Sequence, residues 1–180
     1  MIEVKEFNGY KFVRKDGLTQ SVVPPYENGY WRQMIPDSFI PENVLVLGLG
    51  AGTVCMELKA LFPEVVIDAV EQSKEMIKLA RREFKIGNYV NEIYHANAFQ
   101  FVNECKQKYS LVIVDLYDGF NFNLKVISDQ FLNNCKSLVK EGGYLSINVP
   151  NVEMCQHQFT AVKNSETNKI YFYQKDSLVH

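Results

Sequence analysis

Val44-Leu45-Val46-Leu47-Gly48-Leu49-Gly50-Ala51-Gly52-Thr53 places four apolar residues directly before a glycine-rich turn. A continuous apolar run of this kind suits a parallel strand buried on both faces. The glycines let the backbone turn tightly and let neighbouring atoms approach it closely. Thr53 to Phe62 then reads as a helix, and Val65 to Val70 as a second strand. Ser73 can cap a helix whose Met76, Ile77, Ala80 and Phe84 share one face. Glu92 to His95, Phe99 to Lys106 and Leu111 to Val114 continue the pattern as strand, helix and strand. Ser128 to Val139 carries Phe131, Leu132, Cys135, Leu138 and Val139 on one stripe. Gly142-Gly143 is expected to close that helix, and Tyr144 to Val149 to form a fifth strand. The alternation means βαβ units, hence an α/β fold with a doubly wound, mostly parallel sheet.

Both ends depart from this pattern. Phe159 to Lys163 and Ile170 to Gln174 are strands with no room for a helix between them, so the last strand runs antiparallel to its neighbour. At the start, Ile2 to Phe7, Tyr10 to Arg14 and Leu18 to Val23 read as strands joined at Asn8-Gly9 and Asp16-Gly17. Pro24-Pro25 stops that sheet, and Tyr30 to Ile35 forms a short helix ended by Pro36. The expected organisation is a small β extension over residues 1–26 and an α/β domain over residues 27–180.

Composition narrows the function classes. With 180 residues, 47% hydrophobic, 22% charged and net charge −2, the chain reads as one soluble globular domain. Its near-neutral balance argues against a nucleic-acid or membrane-surface binder. No apolar run approaches the ~20 residues that span a bilayer, and the charged N-terminus has no signal-peptide core. Cys55, Cys105, Cys135 and Cys155 form no Cys-x-x-Cys, which reads as isolated buried thiols in a reducing compartment; a cytoplasmic setting is expected. His95, His157 and His180 share no metal-ligand spacing, so no metal is expected.

The chemistry converges on two places. Behind the glycine turn a helix offers free amides, and Glu71 follows at the end of the second strand, where a carboxylate can accept both hydroxyls of a ribose. The alternative is a tight turn with a solvated Glu71. A pyrophosphate dinucleotide prefers Gly-x-Gly-x-x-Gly, but Gly52 arrives one residue early and Thr53 takes the third glycine's place. The Gly-x-Gly-x-Gly form suits phosphate-free donors of the S-adenosylmethionine type. The second place is Asp115-Leu116-Tyr117-Asp118-Gly119, at the carboxyl end of the fourth strand. Two close carboxylates raise at least one proton affinity, so one can act as a base toward an amine while the other holds cationic charge. For Asp118, helix capping or loop stabilisation is the alternative.

These residues together resemble the spermidine synthase family and its short relatives, within the class I S-adenosylmethionine-dependent transferase fold. The resemblance rests on Val44 to Gly52, Val70-Glu71, Ala98 to Phe101, Tyr109 to Asp118, Asp16-Gly17-x-x-Gln20 and Tyr30-Trp31-Arg32-Gln33-Met34. It implies that Gly48, Gly50 and Gly52 line the donor, that Glu71 holds the ribose, and that Asn97 and Ala98 flank the adenine. Asn97 stands where the family usually has aspartate. Asp115 matches the proton-accepting aspartate and Asp118 the second acid of that loop. Gln20 matches a glutamine near the thioether, and Tyr30 or Trp31 takes the place of the acceptor-side tyrosine. Two departures matter. Ala51 replaces the aspartate that holds the ammonium of an aminopropyl donor, and Val46 replaces the acid two residues before the first glycine of many methyltransferases. The chain after residue 150 is also much shorter than in full polyamine synthases.

Ala51 makes methyl transfer from S-adenosylmethionine to a small amine the leading expectation. Aminopropyl transfer from decarboxylated S-adenosylmethionine is the alternative, and a non-catalytic nucleoside-binding or partner subunit the third reading. Neither nucleic acid nor membrane is expected as a partner, and the N-terminal strands suggest a homodimer. Other features are discounted. Pro24-Pro25-Tyr26 and Asn148-Val149-Pro150 are misplaced for a methyltransferase Pro-Pro-Tyr motif. Arg81, Arg82 and Lys85 read as a solvated helix face. Phe120 and Phe122 suit either a lid or packed core.

Overall fold

The computed structural model describes residues 2–25, 29–118, 121–150, 154, 159–165 and 168–177; at 118 and 121 it describes the backbone alone. Three antiparallel strands come first: β1 (Ile2–Phe7), β2 (Tyr10–Lys15) and β3 (Leu18–Val23). After helix α1 (Tyr30–Gln33) the chain alternates through β4 (Asn43–Leu47), α2 (Thr53–Leu61), β5 (Val66–Glu71), α3 (Lys74–Phe84), β6 (Glu92–His95), α4 (Ala98–Glu104) and β7 (Tyr109–Val114). A two-residue hairpin, β8 (Tyr117–Asp118) and β9 (Asn121–Phe122), precedes α5 (Asp129–Leu138). The chain then forms β10 (Val139–Pro150), β11 (Ala161–Asn164) and β12 (Asn168–Gln174).

Seven of these strands make one sheet in the order β11-β12-β10-β7-β4-β5-β6. Strands β10, β7, β4, β5 and β6 are parallel; β12 runs antiparallel to both β10 and β11. This is the mostly parallel sheet with an antiparallel terminal hairpin that the sequence implies. The apolar run of β4 has a direct reason. Val44 and Val46 belong to one core layer, with Val54 and Leu58 of α2 and Leu79 and Ala80 of α3. Leu45 and Leu47 belong to the layer on the other face, with Val102 of α4 and Leu132 and Leu138 of α5. Each of these four residues has no exposed surface, and full burial of such a side chain contributes about 1.5–3 kcal/mol. Val13 and Val22 of the N-terminal sheet join the first layer, so that sheet packs against the α2–α3 side.

Ser73 caps α3 by accepting from Met76 N at 3.1 Å. Met76, Ile77, Ala80 and Phe84 are buried, while Arg81, Arg82 and Lys85 are exposed. Among the described residues, no helix is long and apolar enough to cross a membrane.

Two expectations are corrected. Gly142-Gly143 does not close α5, which ends at Leu138. Val139 already pairs with Tyr109, and the ladder then skips to Tyr144 opposite Leu111. The glycine pair sits inside this bulge, where a Cβ on Gly143 would lie 2.6 Å from the Ser110 carbonyl oxygen. The cysteines are also not uniformly buried. Burial pushes the Cys55 thiol up to about 12 and Cys135 higher still, but Cys105 is half-exposed. Cys155 lies outside the described residues.

Candidate active site

Strand order reverses between β4 and β7: β5 and β6 lie on one side of β4, β7 and β10 on the other. In open α/β sheets, ligands bind in the crevice outside the carboxyl ends at such a reversal. The two strand ends meet closely here, since Asp115 N donates to the Leu47 carbonyl at 2.9 Å. A Cβ on Gly48 would fall 2.2 Å from the Asp115 carbonyl oxygen, and Gly48 has φ +94°. Position 48 is therefore glycine because β4 and β7 converge there. Above the convergence opens a cavity of about 930 Å³.

One end of the cavity is built for a polar, hydroxyl-bearing group. Glu71, half-buried at the end of β5, accepts from Ser73 N at 2.8 Å through Oε1 and from Gly50 N at 3.3 Å through Oε2. These bonds fix the carboxylate across the mouth of the glycine turn and leave lone pairs on both oxygens for a ligand. Burial pushes its pKa above the ordinary carboxylate value, and the backbone amides oppose that rise. Asn97 and Ala98 open α4 on the same wall. Asn97 Oδ1 caps that helix, accepting from Phe99 N at 2.9 Å and Gln100 N at 3.4 Å, while its Nδ2 donates to Gln72 Oε1 at 3.4 Å and keeps a second hydrogen for a ligand.

The other end is built around Asp115. Its Oδ1 accepts from Asn148 Nδ2 at 2.8 Å and its Oδ2 from the Tyr30 hydroxyl at 3.3 Å. Asn148, on β10 and fully buried, accepts in turn from Asn168 Nδ2 of β12 at 2.8 Å. Burial pushes Asp115 up to about 6, while hydrogen bonds from Asn148, Tyr30 and Trp31 hold it below where burial alone would take it. A carboxyl group so placed is a proton acceptor near neutral pH. Tyr30 stacks on Trp31 with ring centroids 4.3 Å apart, and both line the cavity.

The structure thus brings Gly48, Gly50, Glu71, Asn97, Ala98, Gln20, Tyr30, Trp31 and Asp115 onto one cavity. Gly52 lies apart from it: a Cβ there would meet Ile86 Cδ1 at 2.0 Å, so that glycine serves the packing of α2 against the segment after α3. The side chain of Asp118 lies outside the described residues, as does Phe120; Phe122 packs against the core layer of α4 and α5. Ala51 has no exposed surface and no place on the cavity wall. Its amide donates to Ser21 Oγ of β3 at 2.8 Å, and Thr53 Oγ1 exchanges hydrogen bonds with Val22 N and O at 3.1 Å each. The N-terminal sheet therefore clamps the back of the glycine turn. The residue at 51 does not face the donor end, which removes the reason for ranking methyl transfer first.

Three contributors escape a reading of the sequence alone: Asn148, Asn168 and Tyr117. For Asn148 a signal exists. It lies between Ile147 and Val149 on the opposite face of a strand with neighbours on both sides, and a polar residue buried there needs a partner.

The overall architecture is that of the class I S-adenosylmethionine-dependent transferase fold. A human methyltransferase-like protein 13 structure with SAH superposes with TM-score 0.62 and 21% identity, covering 76% of this chain and 72% of that one. Spermidine synthase from Thermotoga maritima superposes with TM-score 0.72 and 18% identity, over 97% of this chain and 69% of that one. The sequence pattern of the Spermine/spermidine synthase domain matches residues 33–175, and the chain belongs to that family. Among its curated relatives, the polyamine aminopropyltransferase of Alkaliphilus oremlandii is 30% identical over 155 residues, and that of Clostridium beijerinckii 28% over 155 residues. Each alignment covers 81% of this chain and 53% of the relative, so the chain spans about half the length of those proteins.

Proposed function

We propose that this chain transfers an aminopropyl group from decarboxylated S-adenosylmethionine to a small amine, with Asp115 accepting the proton. The observation that carries the reading is Asp115 itself: a half-buried carboxylate with a pKa near 6 at the end of a nucleoside-sized cavity, held by Tyr30, Trp31 and Asn148. The relatives favour aminopropyl over methyl transfer, because the curated proteins named above are polyamine aminopropyltransferases.

The cavity fits the adenosine part of such a donor. Glu71 has lone pairs free for the ribose hydroxyls, and Asn97 and Ala98 border the space beside it. The donor supplies an electrophilic carbon on a sulfonium; its C–S bond breaks as the amine nitrogen bonds to carbon, and the electron pair leaves with sulfur as a thioether. Asp115 takes the proton released by the nitrogen. Tyr30 and Asn148 fix one oxygen each, so the carboxylate faces the amine in one orientation. Positioning and exclusion of water supply most of the rate.

The test is methylthioadenosine release from decarboxylated S-adenosylmethionine with 1,4-diaminobutane, in the wild type and in Asp115→Asn. The variant is expected to lose turnover while still binding methylthioadenosine. At a hundredfold excess over its dissociation constant, that ligand raises Tm by roughly 5–10 °C. Full activity in Asp115→Asn, or no thermal shift in the wild type with either nucleoside, would overturn the reading.

A further inference from the structure

Tyr117 carries a buried phenol oxygen that makes no hydrogen bond; among the described side chains only Ser146 Oγ shares that condition. The two differ in place. Ser146 lies within β10 with no exposed surface, whereas Tyr117 lines the cavity just after β7. Its ring is held by Phe122 across the β8–β9 hairpin, with centroids 5.9 Å apart. Burial and the nearby Asp115 charge both push the Tyr117 phenol upward, so it stays protonated. The two phenols, Tyr117 and Tyr30, lie close enough for ionisation of either to disfavour that of the other. Asp115, Tyr30 and Tyr117 therefore share one neighbourhood, yet of the two phenols only Tyr30 is bonded to the carboxylate. A buried hydroxyl with no partner carries a desolvation penalty that phenylalanine, of nearly the same shape, avoids. Packing gives no reason for the hydroxyl; a ligand in the cavity does.

Resting on the transfer reading above, we propose that Tyr117 selects a primary amine as acceptor. A primary amine has two N–H groups and one lone pair. One N–H donates to the Tyr117 oxygen and the other to Asp115, which leaves the lone pair free to form the new C–N bond. As that bond forms, the proton facing Asp115 moves to the carboxylate while the one on Tyr117 stays with nitrogen. A neutral tertiary amine has no N–H for either group, and a lone pair that accepts from the Tyr117 hydroxyl cannot attack carbon; protonated, it has a single N–H and engages Asp115 alone.

The experiment compares wild type with Tyr117→Phe, both saturated with methylthioadenosine, by calorimetric titration with 1,4-diaminobutane and with its N,N,N′,N′-tetramethyl derivative. Loss of one hydrogen bond to a charged or reacting group weakens diamine binding by at least about tenfold. Methylthioadenosine affinity should be unchanged and Tm no lower, because the hydroxyl bonds to nothing in the protein. The tetramethyl compound should bind weakly and equally to both. Equal diamine affinity in the two proteins, or tight binding of the tetramethyl compound, would overturn the role of Tyr117 and leave the transfer reading standing. A fall in Tm with methylthioadenosine affinity would make Tyr117 a packing residue. A wild type that takes methylthioadenosine but no diamine would overturn the transfer reading, and this inference with it.

Discussion

Asp115 sits where two opposing effects are balanced by its neighbours. Burial raises its proton affinity and three hydrogen bonds lower it, Asn148 foremost, leaving a value of about 6. Removing the Asn148 donor tips that balance upward. Asn148→Leu, close in volume and without a donor, should raise the acidic limb of the pH profile of kcat/KM by on the order of one unit. That unit is worth about 1.4 kcal/mol, near the low end for a charge-assisted bond. An unmoved limb would mean that Asn148 shapes the strand without tuning the acid. The chain shows why some side chains could be assigned a place in advance and others not. Asp115 and Glu71 each end an apolar strand, so the strand direction alone delivers them to the carboxyl edge. Ala51 is legible in the sequence as a departure but its consequence is not, because its orientation depends on Ser21, thirty residues earlier in the chain. Asn97 reaches the cavity wall as the resemblance implies, but its oxygen caps α4, a use that only the helix start at Ala98 reveals.

The elements themselves follow from local pattern wherever period and length are unambiguous. The buried strands and the amphipathic α3 and α5 form where their apolar spacing places them. The exception is Gly142-Gly143, whose local signal suits a helix end equally well as a bulge; only the pairing of Val139 with Tyr109 decides between them. The glycine turn shows the same dependence on tertiary context. Gly17 and Gly48 both have positive φ, near +88° and +94°, but nothing lies within 4 Å of a Cβ at Gly17. Gly17→Ala should therefore lose about 1–2 kcal/mol, the strain of a left-handed backbone alone. Gly48→Ala adds a clash with the Asp115 carbonyl, a backbone atom that cannot move without shifting β7. Overpacking of that kind costs about 1–3 kcal/mol more. Urea unfolding of both variants checks the ranking. Gly48→Ala should also weaken methylthioadenosine binding, whereas Gly17→Ala should not; equal losses from the two would show that the β4–β7 convergence is not rigid.

Strand order assembles what no single segment contains. The acid comes from β7, its tuning amide from β10, the amide behind that from β12, the phenol from α1, and the turn is braced by β3. Parallel strands in a doubly wound sheet are readable as a class of fold; their order is seen only in the structure. The same holds for the register that sets Pro150 opposite Asn168, and so brings Asn168 within reach of Asn148. The same assembly predicts how the stability of the whole protein responds to pH. In the unfolded chain Asp115 titrates near 3.8, and in the folded protein near 6. Between those values the native state holds a proton that the unfolded state has already lost, so stability falls as pH rises through the window. For this group the loss is at most on the order of 2–3 kcal/mol and is complete above about pH 6. Asp115→Asn does not titrate. Its altered hydrogen bonding adds an offset that pH does not change, and the remaining carboxylates are common to both proteins. The difference in unfolding free energy between variant and wild type should therefore grow in the variant's favour from pH 4 to pH 7 and then level off. Urea unfolding at unit steps from pH 4 to 8 measures it. A difference independent of pH would mean that Asp115 titrates as an ordinary surface carboxylate, and its role as the proton acceptor would lose its physical basis.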